Sequence, residues 1–176
     1  MRRIPILFAL ATLLALPLAG TAQQGPVSAS LQGLFAIPTG FVTQTAEMVP
    51  ENLYGFQPTP EVRTMGQLIG HIADAQYSFC SVAAGEASPA TGSVEQSSTT
   101  KADYIAGLEA AFAYCSTVHA KMTDQMGAQM RDLFGQQMAA AAVLSFNIAH
   151  TYEHYGNLVT YMRINGITPP SSMPAG

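Results

Sequence analysis

Two histidines lie one helical turn apart near the end of the chain, in the run HTYEHYGN at 150–157. In an α-helix, side chains at positions i and i+4 project from the same face, so His150 and His154 can bind one metal ion together. A largely apolar stripe at helical spacing contains both of them: Val143, Asn147, His150, His154, Asn157, Leu158 and Tyr161. We therefore expect the pair to face the interior, where a divalent cation would give both buried imidazoles a partner.

A third ligand should come from another helix, because two histidines alone hold a metal poorly. His71 is the natural candidate, since it lies mid-helix and one turn from the apolar residues Leu68 and Ala75. His119 is the alternative, but charged residues such as Lys121 follow it closely, and we expect it to lie near solvent. Three imidazoles would leave at least one coordination position for water or substrate, which is typical of a reactive site.

This ligand set does not determine which metal is bound, because Zn, Ni, Fe and Mn all accept imidazole ligands. The run at 150–154 also matches H-x-x-E-H, the inverted zincin motif of certain metalloproteases, with Glu153 as the base. That motif needs a further ligand, usually acidic, well downstream, and no Asp or Glu follows His154. The pattern therefore disfavours a peptidase.

Three polar residues near the histidines have a functional and a structural interpretation. Glu153 could be a general base at the rim of the site, or an exposed surface carboxylate. Asp74, one turn after His71, could accept the second N–H of that imidazole, or lie on a solvated face. Asn157 could orient a ligand, or be a satisfied inward amide.

The N-terminal residues 1–22 have the pattern of a secretory signal. They begin with a basic MRR, continue with an apolar run from Ile4 to Leu18, and end with small residues at 20–22. The apolar run is shorter than the ~20 residues needed to span a bilayer, and no later run reaches that length. We therefore expect an exported protein, periplasmic or extracellular, without a membrane association once the signal is removed.

The composition of the 176 residues limits the partners of the mature protein. Without the signal, the remaining chain is long enough for one domain with a core of its own. The net charge is −4 and the few basic residues are scattered, so no basic stripe is available for nucleic acid. A small-molecule substrate is the expected partner.

Cys80 and Cys115 are the two cysteines of the chain. In an exported protein they could form a disulfide, since oxidising compartments preserve such bonds. They could equally be two buried thiols, because free cysteine is among the most buried residue types. The sequence leaves both alternatives open.

The spacing of apolar residues predicts an all-α fold, a four-helix bundle with long crossover loops at 50–63 and 87–100. A flexible leader is expected at 23–30 and a C-terminal tail at 171–176, with the helical domain between them at 31–170. The predicted helices span about 31–48, 64–84, 101–126 and 136–164. Thr64 and Gln67 form a capping-box pattern, Gly85 a C-terminal stop, and no segment shows β alternation.

The sequence resembles the DinB-like family over most of the expected mature chain. The resemblance lies in MVPENLY at 48–54, PTPEVRT at 58–64, QLIGHIAD at 67–74, HTYEHYGN at 150–157 and YMRINGITPP at 161–170. Family members are four-helix bundles that bind a divalent metal through one histidine of the second helix and two of the fourth. The resemblance thus implies His71, His150 and His154 as ligands, and it makes a homodimer plausible.

Two functions follow as hypotheses. The first is a metal-dependent hydrolase or transferase acting on a small molecule, since characterised relatives include metal-dependent thiol transferases, hydrolases and isomerases. The predicted export speaks against thiol transfer, because thiol cosubstrates are scarce in oxidising compartments. The second is a non-catalytic exported metal-binding or stress-associated helical module. An open coordination position facing a pocket would distinguish the enzyme from the module.

Overall fold

A computed structural model describes residues 24–174 of the chain. The predicted signal at 1–22 lies outside these residues. Among the helices described, none combines the length and the apolar character that a bilayer crossing requires.

The described chain is mainly helical, with one small hairpin. Its helices are α1 Pro26–Met48, α2 Met65–Ala84, α3 Val94–Ser97, α4 Lys101–Lys121, α5 Asp124–Gly127 and α6 Ala140–Ile164. Its strands are β1 Met130–Leu133 and β2 Gln136–Ala139, which pair antiparallel.

The four long helices form the predicted bundle, so the all-α fold class is confirmed. Helix α2 packs against α4 and α6, and α1 packs against the same two helices. Helices α1 and α2 are consecutive but are not principal packing partners, so the link between them crosses one end of the bundle. The histidine-bearing helices α2 and α6 are direct neighbours, which is the contact that the site requires.

Helix α2 has the ends that its sequence predicts. The Thr64 hydroxyl accepts the backbone N–H of Gln67, and the Gln67 side chain accepts the backbone N–H of Thr64. At the other end Gly85 adopts a left-handed conformation with φ 74°, which costs glycine little because it has no Cβ. Both ends of α2 are therefore determined by residues next to them in the sequence. The ends define where the helix begins and stops, and so which of its residues lie on the face toward the core.

Helix α1 begins five residues earlier than predicted, so residues 26–30 are helical rather than part of a flexible leader. Pro26 occupies the first turn, where its missing N–H costs nothing. The Asp124 carboxylate accepts hydrogen bonds from the backbone N–H and the hydroxyl of Ser28. This contact comes from a segment almost 100 residues away, and local sequence patterns could not reveal it.

The third long helix ends five residues earlier than predicted and the fourth begins four residues later, because α5 and a hairpin lie between them. Helix α4 ends at Lys121, where Met122 turns to extended backbone. Residues 136–139 are strand β2 rather than the first turn of α6, so the predicted start of the fourth helix at about 136 was wrong. The two-residue turn Phe134-Gly135 has positive φ at both positions, as tight hairpin turns of this kind require.

The cysteines join α2 to α4. The sulfur atoms of Cys80 and Cys115 are in bonding contact, and their Cα atoms are 5.4 Å apart, within the range that a disulfide needs. Both side chains are fully buried. The disulfide is a prediction that the titration of free thiols tests.

His119 is buried, contrary to the expectation that it lies near solvent. Its ring stacks on Phe35 of α1 at a centroid distance of 4.3 Å. Neither ring nitrogen has a hydrogen-bond partner within residues 24–174. The ring is covered by α1, whose Phe35 lies within the predicted first helix, and this contact between distant segments could not be read from the residues around His119.

The burial of His119 predicts a loss of stability in acid. Burial lowers its pKa from 6.5 to about 4, so the unfolded chain takes up a proton between these pH values and the folded chain does not. Stability should therefore fall as the pH drops from 6.5 to 4, by roughly 3 kcal/mol from this residue. Urea unfolding across this pH range should show a shallower decline for His119→Phe, which keeps the stacking on Phe35. An equally steep decline in both proteins would contradict the prediction.

Candidate metal centre

His71, His150 and His154 come together between α2 and α6. Each offers one ring nitrogen, and the three nitrogens lie within 4.8 Å of one another. The Nε2 atoms of His150 and His154 are 3.0 Å apart. The ring of His71 lies 4.6 Å from that of His154 and 5.2 Å from that of His150, between centroids.

A buried polar network sets the register of α2 against α6. The Gln76 side chain donates to the Thr151 hydroxyl at 3.0 Å, and the Asn147 side chain donates to Gln76 Oε1 at 2.8 Å. All three residues are fully buried. Because such groups must be paired with each other inside the core, a slip of either helix would leave them unsatisfied. The network thus fixes the position of His71, along the axis of α2, relative to His150 and His154 on α6.

The environment of the cluster favours neutral imidazoles. Burial lowers the pKa of His154 to about 4, and repulsion from the other two histidines and Arg63 adds to the shift. Burial is also the main cause of the lowered pKa of His150. At neutral pH both rings therefore carry a free lone pair, which is the form that binds a metal.

The donor set fits a divalent transition metal. Two imidazole nitrogens on a tetrahedral ion at bond lengths of about 2.1 Å stand about 3.4 Å apart, and the 3.0 Å between His150 and His154 is close to this value. The Nε2 atoms of these two rings face each other, so only one proton can lie between them. A cation at this point would bind both lone pairs and the third imidazole. A histidine-based metal site is therefore possible here, with three protein ligands and room for others.

His71 has a carboxylate partner that the sequence did not indicate. Its Nδ1 lies 3.3 Å from Glu95 Oε2, and Glu95 Oε1 accepts from Arg63 Nε at 2.8 Å. Glu95 belongs to the 87–100 segment, which sequence analysis treated as a surface loop. Helix α3, a single turn within that segment, brings it to the site.

Asp74 bonds the 93–95 segment and not His71, which neither of its two sequence interpretations described. Its carboxylate accepts hydrogen bonds from the Ser93 hydroxyl at 2.6 Å and from the backbone N–H groups of Val94 and Glu95 at 2.7 and 3.2 Å. It thereby caps α3, and Glu95 rather than Asp74 is the partner of His71.

Glu153 and Asn157 both lie on the exposed side of α6. Asn157 was expected on the inward stripe, but it is exposed and lines a cavity beside His154. Glu153 is not among the residues that line this cavity. The structure therefore gives Glu153 no place beside a bound substrate, and a catalytic role for it stays a prediction.

The cavity beside His154 has a volume of about 690 Å³ and opens to solvent. Its polar wall contains Arg63, Glu95, Asn157 and Tyr161. The Tyr161 hydroxyl donates to the backbone carbonyl of Arg63 at 3.0 Å, which ties the cavity's outer segment to α6. The volume is that of a small-molecule site.

A second group of donor atoms lies deeper in the bundle, at Cys80, Cys115 and His119. The two sulfur atoms are in bonding contact with each other, so the imidazole is the one donor left. This group lies outside the cavity beside His154. The three histidines at α2 and α6 are the better candidate for a metal site.

Comparison with solved structures shows the same fold in DinB-like proteins of two bacilli. The protein from Bacillus subtilis is 21% identical, with a TM-score of 0.67 over 83% of this chain and 96% of its own. The protein from Bacillus cereus is 18% identical, with a TM-score of 0.71 over 81% of this chain and 95% of its own. A variant of the mycothiol-dependent maleylpyruvate isomerase is 14% identical, with a TM-score of 0.64 over 74% of this chain and 60% of its own.

No curated protein matches the sequence significantly. A family model, described as the DinB superfamily, matches residues 42–158. These residues include all three histidines of the cluster and most of the bundle. Because the match spans more than half of the chain and solved DinB-like proteins share its helical arrangement, the protein belongs to the DinB superfamily.

Proposed function

We propose that this protein is a metal-dependent enzyme, a hydrolase or a transferase, that acts on a small molecule. One divalent cation, Zn, Ni, Fe or Mn, would be held by His71, His150 and His154. The observation that supports this proposal is the convergence of three imidazoles from two helices beside a cavity of about 690 Å³. The isomerase among the structural relatives supports small-molecule chemistry on this fold.

At a metal site formed by the three histidines, the cation and the surrounding side chains would have different roles. A bound cation supplies Lewis acidity and lowers the pKa of a coordinated water or other nucleophile. The imidazoles of His150 and His154 provide neutral nitrogens, and the Glu95 carboxylate lies 3.3 Å from His71 Nδ1. Three protein ligands leave coordination positions for substrate on the side of the cavity, where His154 forms part of the wall.

The cavity contains one group able to bind an anion, Arg63, beside the carboxylates Glu61 and Glu95. Arg63 is the one Lys or Arg among the residues that line it. Within the described chain, only the Nε of its guanidinium bonds a carboxylate, so its two terminal NH₂ groups remain free to donate. Guanidinium groups bind carboxylates and phosphates with charge-assisted hydrogen bonds, often two at a time.

An open metal site can be tested with cobalt in place of the native metal. We expect the visible absorption spectrum of the Co²⁺ protein to change when inorganic phosphate or acetate is added, because the anion takes an open position on the ion. A structural site closed by a fourth protein ligand would give an unchanged spectrum. That outcome would favour the non-catalytic metal-binding module over the enzyme.

Arg63→Gln should weaken anion binding. We expect the dissociation constant for phosphate, measured from the cobalt spectrum, to rise by about tenfold, since a charged hydrogen bond at a partly exposed arginine is worth about 1.5 kcal/mol. Arg163→Gln is a matched control, because Arg163 is exposed on α6 and bonds Ser172, outside the cavity. Equal affinities in the Arg63 variant and the wild type would rule out Arg63 as the anion-binding group.

Export is the remaining part of the proposal, and it depends on the signal pattern at 1–22. Expression of the full chain in a bacterial host, followed by separation of the periplasm and mass spectrometry of the N-terminus, tests it. We expect a processed protein that begins near residue 23. An unprocessed protein in the cytoplasm would contradict it.

A further inference from the structure

The turn at residues 93–97, which we name the strap, is set into the bundle by two glycines. A Cβ at Gly70 of α2 would lie 2.6 Å from Glu95 Cα and 2.7 Å from its backbone nitrogen. A Cβ at Gly107 of α4 would lie 2.5 Å from a methyl group of Val94. Real Cβ atoms essentially never approach other atoms this closely, so a Cβ at Gly70 would displace the strap's backbone at Glu95 and one at Gly107 would displace the Val94 side chain.

Asp74 binds the strap to α2 electrostatically as well. Its two carboxylate oxygens take three hydrogen bonds from residues 93–95, two of them from backbone N–H groups at the start of α3. These bonds are charge-assisted, because the acceptor is a carboxylate, and Asp74 is partly buried, where such bonds are stronger. The position of the Glu95 backbone is thereby fixed relative to α2, the helix that carries His71.

Glu95 then projects from the strap to His71. Its two oxygens are divided between Arg63 and His71 Nδ1, at 2.8 and 3.3 Å. An ionised carboxylate can only accept, so this contact favours the tautomer of His71 that carries its proton on Nδ1. The lone pair of its ring is then on Nε2, on the opposite side from Glu95.

We propose that the strap is a positioning device, in which Asp74 places Glu95 and Glu95 fixes the tautomer and ring orientation of His71. This inference rests on the proposed metal site for its purpose, because metal-binding histidines commonly donate their second N–H to a carboxylate. It assigns Glu95 and Asp74 as positioning residues in series. Neither of them binds the metal.

The first test uses no metal, so it is independent of the proposed function. Nitrogen NMR of protein labelled with ¹⁵N-histidine reports which ring nitrogen carries the proton. We expect the Nδ1-protonated form of His71 to predominate in the wild type and to lose that predominance in Glu95→Gln and in Asp74→Ala. A wild-type His71 protonated mainly on Nε2, or an unchanged tautomer in both variants, would overturn the inference.

The second test measures Zn²⁺ affinity by competition with a chelator. Glu95→Gln and Asp74→Ala should each weaken binding by about tenfold, the lower end of what outer partners of metal ligands contribute. Because the two residues act in series, the double variant should bind Zn²⁺ no more weakly than the single variant with the larger loss of affinity. Losses that multiply in the double variant would show that Asp74 does not act through Glu95.

Two controls separate positioning from general damage. Glu109→Gln removes an exposed carboxylate from α4 and should leave Zn²⁺ affinity unchanged. Gly70→Ala should displace the strap and weaken binding, whereas Gly33→Ala, a helical glycine with nothing within 4 Å of the added Cβ, should not. If the wild-type protein binds no Zn²⁺, the proposed metal-dependent function is contradicted. The NMR result would still decide whether the strap sets the tautomer of His71.

Discussion

Replacement of His154 by alanine is expected to remove metal from the protein. Wild-type protein purified without added metal should contain up to one divalent transition metal ion per chain, and His154→Ala should contain almost none. Loss of outer partners costs metal sites about 10- to 100-fold in affinity, so loss of one of three direct ligands should exceed about 100-fold. Metal analysis by mass spectrometry and a Zn²⁺ titration measure the two quantities.

The matched control for this experiment is His119→Phe. His119 is at least as buried as His154, with 0% against 8% of its surface exposed, and it lies against Phe35 on α1 rather than in the three-histidine cluster. Its replacement should leave the metal content unchanged, and His150→Ala should behave like His154→Ala. Equal metal content in the wild type and in both site variants would contradict metal binding by the three histidines. It would also contradict the proposed metal-dependent enzyme.

The bundle and the three histidines could be predicted because their signals are local or periodic. The apolar residues of α2 recur at spacings of three and four, which is typical of a buried helical face, and they are buried in the structure: Met65, Leu68, Ile72, Ala75 and Phe79. The i, i+4 spacing of His150 and His154 needs only that α6 be a helix. The capping box at Thr64 and Gln67 depends on four consecutive residues.

The residues that sequence analysis missed are placed by contacts between distant segments. Glu95 reaches His71 only because Asp74 and two glycines hold the strap in place. In the sequence, the polar residues around Glu95 look like any solvated loop. A signal was present in Gly70, since a glycine in mid-helix costs about 1 kcal/mol relative to alanine and suggests a close approach.

The hairpin was missed for a different reason. Its strands have four residues each and little alternation of apolar and polar side chains. Met138 and the alanines after it also suit a helix, so the pattern favoured an earlier start for α6. The tight turn at Phe134-Gly135 joins the two strands and makes the hairpin possible. It contains a phenylalanine in a backbone conformation that non-glycine residues adopt rarely.

The core beside the site combines a polar network with the cysteine pair. The Asn147 side chain lies 3.4 Å from the sulfur of Cys115 and 3.6 Å from that of Cys80, and it also donates to Gln76. Helix α2 is thus held to α6 by hydrogen bonds and to α4 by the cysteines. Both attachments lie within three turns of His71, so they restrict how far that side chain can move from the other two histidines.

Reduction of the cysteine pair is expected to lower the free energy of unfolding by about 4 kcal/mol. The cross-link spans 35 residues, and the loss of chain entropy in the unfolded state predicts a stabilisation of this size. Urea unfolding of the same protein with and without a strong reductant measures the difference. Titration of the unfolded, unreduced protein should find no free thiol.

The double variant Cys80→Ala/Cys115→Ala separates the cross-link from packing. Both cysteines are fully buried, so the variant loses some core contacts as well as the bond. It should be no more stable than the reduced wild type, and reductant should not change its stability further. Two reactive thiols in the protein as isolated would show that the pair is unbridged. The buried network of Gln76, Asn147 and Thr151 would then have to hold His71 in place by itself.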